Sequence, residues 1–148
     1  MIYLGSDHAG FDLKEEIKTY LQDQGKELED LGAFTFSSED DYPDYVIPVA
    51  RRVSEGKEGD MGIVFGGSGQ GEAIAANKVK GIRAVLYYGG NLDVVKLSRL
   101  HNNANVLSLG ARFITKSEAL QAVQIWLQTP WEDGRHKARI AKISKAEE

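Results

Sequence analysis

The chain has 148 residues, a mass of 16.3 kDa, no cysteine and a formal net charge of −4 with a pI near 5.4. That length suits one domain spanning 1–148, and the missing cysteines exclude a disulfide scaffold, a thiolate metal site and a cysteine nucleophile. The acidic balance argues against general nucleic-acid or anionic-membrane binding. No apolar run reaches the roughly 18 residues of a membrane span, and the first residues lack the pattern of a signal peptide, so the expected location is cytoplasmic.

Apolar periodicity alternates along the chain. Residues 2–5 (IYLG) form a short apolar run ending in glycine, which predicts a buried strand. Residues 11–24 carry Leu13, Ile17, Tyr20 and Leu21 on one helical face, and Gly25 reads as the stop. A second strand is expected at 27–31. Pro43 opens a helix with Val46, Ile47, Ala50 and Val53 on one side. Residues 61–65 (MGIVF) form a third strand, followed by GGSGQG and the helix-compatible EAIAANK. Strands at 82–88 and 105–109 flank a helix at 92–101. Ala119, Leu120, Val123, Trp126 and Leu127 mark a further helix, and a charged last helix is expected to start near Asp133.

Unalternated apolar strands interleaved with helices imply parallel pairing with both sheet faces covered. The expected fold is a three-layer α/β/α sandwich around a five-stranded parallel sheet. The common doubly wound order puts strand 1 between strands 2 and 3. The loops leaving strands 1 and 3, at 6–10 and 66–71, then diverge around a ligand crevice.

Those two loops hold the most chemically loaded residues. Four glycines in the six residues Gly66-Gly67-Ser68-Gly69-Gln70-Gly71 exceed what a turn needs, and successive N–H groups before a helix make an anion site. No Lys-Ser/Thr pair follows, so this is not a Walker loop, and its place after the third strand argues against a dinucleotide. Glu72 sits in the next helical turn, either as a dipole-favoured surface carboxylate or as a general base. Asp7-His8 after strand 1 reads as a polar cap or as an acid–base or phosphate-contacting pair. His101-Asn102-Asn103 follows a helix, where an exposed cation at its end is the plain alternative to a pocket role. Arg135 and Arg139 are four apart, which predicts one helical face. With Arg112 they form either a phosphate clamp or a solvated basic surface. No metal-ligand spacing stands out.

At these residues the chain resembles the ribose-5-phosphate isomerase B family, which includes galactose-6-phosphate isomerase subunits. The matching pieces are SDHAG at 6–10, DYP at 41–43, GGSGQGEAIAANK at 66–78, GIRA at 81–84, HNNANVL at 101–107, GAR at 110–112 and GRHKARI at 134–140. The resemblance implies aldose–ketose isomerisation of a sugar phosphate through a cis-enediolate, with no metal or other cofactor. It implies ring opening by Asp7 and His101, and an anion hole from Gly67, Ser68, Gly69 and Gly71. Sugar or phosphate contacts would come from His8, Tyr42, Asn102, Arg112, Arg135 and Arg139.

Part of the family uses a cysteine at the start of the glycine loop as base. That position here is Gly66, and the family's other base, a glutamate just after the loop, matches Glu72. Ribose 5-phosphate is the expected substrate, with allose or galactose 6-phosphate as alternatives. A nucleotide-binding module or a non-catalytic sugar-phosphate sensor are the rival readings. His101 precedes strand 5 and so enters at the sheet's amino edge, whereas the glycine loop leaves at the carboxyl edge. A homodimer or tetramer with shared sites would reconcile the two.

Overall fold

A computed structural model describes residues 1–148. Its strands are β1 (Ile2–Ser6), β2 (Leu28–Asp30), β3 (Met61–Gly66), β4 (Ala84–Tyr87) and β5 (Val106–Gly110). They form one all-parallel sheet in the order β2-β1-β3-β5-β4. The helices are α1 (Phe11–Asp23), α2 (Pro43–Glu55), α3 (Gln70–Asn77), α4 (Asp93–Leu100), α5 (Lys116–Gln128) and α6 (Lys137–Lys145). None is long and apolar enough to cross a membrane.

Strand alternation divides the core in two. Ile2 and Leu4, Ile63 and Phe65, and Leu107 and Leu109 point to one face, where Leu13, Ile17 and Leu21 of α1 and Ala119, Val123 and Trp126 of α5 cover them. Tyr3, Val64 and Val106 point to the other, against Val46, Val49, Ala50 and Val53 of α2 and Ala76 of α3. The chain therefore leaves β1 toward one face and β3 toward the other, as the expected topology requires. The shorter strands shrink from expectation: β2 to 28–30 and β4 to 84–87. Both are sheet edges, where one side lacks a partner.

Lys14 departs from its residue type. It lies on the apolar face of α1, fully buried, with Nζ at 2.9 and 2.8 Å from the two carboxylate oxygens of Asp30 and 2.7 Å from the Ala33 carbonyl. Lys18 adds a 3.1 Å contact to Asp30. The pair ties α1 to the end of β2. Burial alone would raise the Asp30 carboxyl, but hydrogen bonds from Lys14, the Gly32 amide and Lys18 outweigh it and hold the group below its ordinary value.

Candidate active site

Glycine at 69 lets the loop enter α3. It takes φ +77° at the N-cap, a left-handed conformation open to glycine at little cost. The loop is pinned from β5, because the Ser108 hydroxyl donates to the Gly69 carbonyl at 2.7 Å, and the Ala111 and Arg112 amides donate to Gly66 and Gly67 at 2.8 and 3.0 Å. The Gln70 amide donates to Ser68 Oγ at 3.2 Å. The N–H groups of Gly67, Ser68, Gly69 and Gly71 have no acceptor within the chain. Unpaired amides at a helix start are a cradle for negative charge.

Glu72 is 4% exposed and turns back over this cradle. A Cβ built on Gly66 would lie 2.0 Å from Glu72 Oε1 and 2.4 Å from Oε2. The carboxylate thus fills the space a side chain at 66 would need. Burial pushes its carboxyl above the ordinary range, outweighing the hydrogen bond from its own backbone N–H, and the charge of Asp7 acts in the same upward direction. The helix dipole alone would have favoured the opposite shift.

Two side chains flank the cradle. The Tyr42 ring, at the start of α2, lies against Gly71, where a Cβ would meet its hydroxyl at 2.6 Å. The Arg112 guanidinium lies over Gly67, with Nη1 at 3.1 Å from the same construction there.

The β1 loop completes this edge. Asp7 Oδ1 accepts the amides of Ala9 and Gly10 at 3.0 and 3.3 Å, capping a short 3₁₀ turn. Asp7 Oδ2 is 4.0 Å from His8 Nδ1. Asp40 holds His8 twice, at its backbone N–H (2.9 Å) and at Nδ1 (2.7 Å). Asp40 Oδ2 is buried with no partner. Asp7, His8 and Asp40 bring ligand-type atoms within 4.8 Å of one another, a set that would fit a cation. Most of those atoms are already spent on each other and on the turn amides. Asp40 escaped the sequence reading. Its signal was an acidic run, EDDYPD, in a loop just before the DYP motif.

The remaining site residues gather elsewhere. His101 caps the end of α4, and its ring stacks on His136 at 4.3 Å between centroids. Arg135 Nε lies 3.3 Å from His136 Nε2, and Arg139 Nη1 lies 3.5 Å from Nδ1. Contrary to expectation, Arg135 and Arg139 do not share a helical face. Residues 134–136 are a turn and α6 begins only at Lys137, so His136, not helical spacing, brings the two guanidinium groups together. Glycine at 134 and the absence of a capping side chain explain the late start. Burial, then His101, Arg135 and Arg139, hold His136 below the usual histidine range. Asn102 is exposed beside this group.

The structure therefore unites Asp7, His8, Tyr42, Gly67, Ser68, Gly69, Gly71, Glu72 and Arg112 at the carboxyl edge. It leaves His101, Asn102, Arg135 and Arg139 in a second group. β5, which His101 and Asn102 precede and Arg112 follows, is five residues long, roughly 17 Å at strand rise.

A model of the Ribose/Galactose Isomerase family matches residues 2–143. The chain belongs to the ribose/galactose isomerase family. Ribose-5-phosphate isomerase B of Mycolicibacterium paratuberculosis is 44% identical over 147 residues, covering 99% of this chain and 91% of that one. The crystal structure of ribose-5-phosphate isomerase B from Mycoplasma genitalium with bound ribulose 5-phosphate superposes with a TM-score of 0.94 at 42% identity, covering 99% and 95% of the two chains. The Thermotoga maritima ribose-5-phosphate isomerase gives 0.90 at 44% identity, over 97% of each chain. The two solved structures share the fold described above.

Proposed function

We propose that the chain interconverts ribose 5-phosphate and ribulose 5-phosphate, with Glu72 moving the proton between C1 and C2. The observation that carries this reading is the Glu72 carboxylate folded back over Gly66, beside four amides that lack acceptors. Glu72 takes the proton from C2 of the open-chain aldose, and the electrons pass to the carbonyl oxygen. The resulting cis-enediolate rests its oxygen on the amides of Gly67, Ser68, Gly69 and Gly71; the O2 hydroxyl proton passes to O1, and the carboxylic acid of Glu72 returns a proton to C1 as C2 becomes the ketone. Amides aimed in advance stabilise the growing charge more than the neutral carbonyl, which is the requirement for acceleration. Burial raises the basicity of Glu72 toward what proton abstraction needs. Asp7 and His8, at the same edge of the sheet as the cradle, contact the sugar hydroxyls in this reading, and Arg112 carries positive charge to the rim of the cradle.

Two copies of the chain make the complete site in this reading. His101, Asn102, Arg135 and Arg139 of one subunit open the ring and hold the phosphate of a substrate seated on the other subunit's cradle. The support is geometric. The two groups emerge at opposite edges of one sheet, and a two-fold assembly brings such patches face to face. Remote phosphate binding then holds C2 against Glu72.

The test is solvent-proton exchange at C2 of ribose 5-phosphate in deuterium oxide, with Glu72→Gln as control. The wild-type chain exchanges and turns over. Glu72→Gln binds the sugar phosphate but neither exchanges nor isomerises. Turnover retained in that variant would remove Glu72 from the mechanism.

A further inference from the structure

A cavity of about 390 Å³ opens at the amino edge of the sheet, and the mechanism above makes no use of it. Lys57, Asp60, Arg83, Arg99, Asn103 and Trp131 are among its lining residues. Arg99 is 9% exposed, and neither arginine forms an ion pair within the chain. Their bonds go to neutral oxygens. Arg83 Nε donates to the Asn103 carbonyl at 2.8 Å and its Nη1 to Gly81 at 3.4 Å. Arg99 Nε donates to Thr129 at 3.3 Å, and its Nη1 to Asn103 Oδ1 at 3.0 Å and to the Ala104 carbonyl. The Nη2 group of each is left without a protein acceptor. Trp131 Nε1 is buried without an acceptor.

Arg99 is buried and Arg83 half-buried, and guanidinium groups partly withdrawn from water without an ion-pair partner are costly unless a counter-charge joins them. The nearby carboxylates are committed elsewhere. Asp60 takes the N-terminal ammonium at 3.2 Å and the Lys57 amide at 3.0 Å. Glu147 takes the Gly81 amide through both oxygens, at 3.1 and 2.9 Å. Glu58 is exposed at the mouth. Burial holds both arginines below their ordinary range; the charge of Glu147 partly opposes this at Arg83, and Arg83 adds to it at Arg99.

The geometry points to an anion site in this cavity, separate from the carboxyl-edge cradle and fitted to a small phosphomonoester. Each guanidinium has a free Nη2 to offer a phosphate oxygen, and the Trp131 ring lines the same cavity. At about 30 Å³ per water, the cavity holds a phosphate and a short carbon chain rather than the bare ion. Asn103 bonds both arginines and directly follows Asn102. An occupant would therefore bear on the segment that the proposed function places in the substrate site, a consequence that rests on that reading; the binding itself does not.

The indole N–H resonance of Trp131 in ¹⁵N-labelled protein reads the site, and that of the core residue Trp126 reports folding. Titration with glycerol 3-phosphate should shift the Trp131 signal saturably at millimolar concentration. The shift should survive in the double variant Arg112→Ala/Arg139→Ala, which removes two of the arginines that the proposed function assigns to the substrate site. Arg83→Gln should weaken binding about tenfold. Lys57→Glu, at an exposed position, should weaken it severalfold without touching the core. Inorganic phosphate should bind more weakly than the ester; equal or tighter binding would overturn the phosphomonoester assignment. No shift with either probe, a shift abolished in the double variant, or one indifferent to both Arg83→Gln and Lys57→Glu would overturn the site.

Discussion

Asp40 grips His8 by both its backbone N–H and its ring Nδ1, at 2.9 and 2.7 Å. One carboxylate oxygen thus sets the loop and the ring together, and the other ring nitrogen is directed away from Asp40. Asp40→Ala should lower kcat/KM about tenfold to a hundredfold, the range expected for losing a charge-assisted hydrogen bond. Asp40→Asn keeps an acceptor oxygen and should recover much of that loss. Steady-state kinetics on ribose 5-phosphate check both. Equal defects in the two variants would mean that charge, not placement of the ring, is what Asp40 supplies.

Glu72→Gln should remove turnover and raise the melting temperature. The sign follows from the direction of the shift. A carboxyl raised above its unfolded value favours the folded state when protonated and opposes it when ionised, so at neutral pH the buried charge costs stability. Glutamine deletes that cost. The same shift moves the acid limb of kcat/KM upward, because the base must be ionised to act. The limb should therefore fall at a pH above that of an ordinary glutamate. Calorimetry and a pH–rate profile report the two effects.

Gly66→Ala should leave the fold intact and cost about 10²-fold or more in kcat. The added methyl displaces the end of a flexible side chain rather than backbone, so the carboxylate swings off the cradle while the strand stays. Circular dichroism and kinetics together test this. A fully active Gly66→Ala would show that the carboxylate position over the loop is not the working one.

Asp30→Ala strands the fully buried Lys14 and should cost about 3–5 kcal/mol in urea denaturation. The contribution of Asp30 is also pH-dependent. Its folded-state value lies below the ordinary 3.8, so its stabilisation is fully present above that value and drains as pH falls through the lower, folded one. The stability gap between wild type and Asp30→Asn should narrow below about pH 4.

Shared sites make a clear prediction for mixtures. Glu72→Gln and His101→Ala chains are each inactive alone. Re-assorted in equal amounts, half of the dimers are mixed and each holds one intact pair. Activity should return to about a quarter of wild type. No recovery after confirmed exchange of subunits would place each site within one chain.

Much of this architecture was legible from hydrophobic spacing. The runs IYLG and MGIVF announced buried parallel strands, and the diverging loops after them marked the crevice where Asp7, His8 and the glycines now sit. The losses have physical causes. Lys14 lies three and seven residues from Ile17 and Leu21, on the buried face, yet its charge reads as solvent until the distant Asp30 is in place. Asp40 acts across 32 residues of sequence, which no local pattern encodes. Arg135 and Arg139 had helical spacing, but a glycine turn intervened and a histidine took over the pairing. The insertion of β5 between β3 and β4 depends on how the crossovers pack, and the strand sequences alone carry no mark of it.

The room above position 66 admits one tenant: a side chain rooted there, or the carboxylate arriving from position 72. With Glu72 in its proposed role, a lineage that transfers its base from one position to the other must change both residues, because each single step on the way either evicts that group or leaves none. Such a swap calls for a paired replacement or a dispensable gene copy, so the choice of base should mark deep branches of a family tree rather than scatter among close kin.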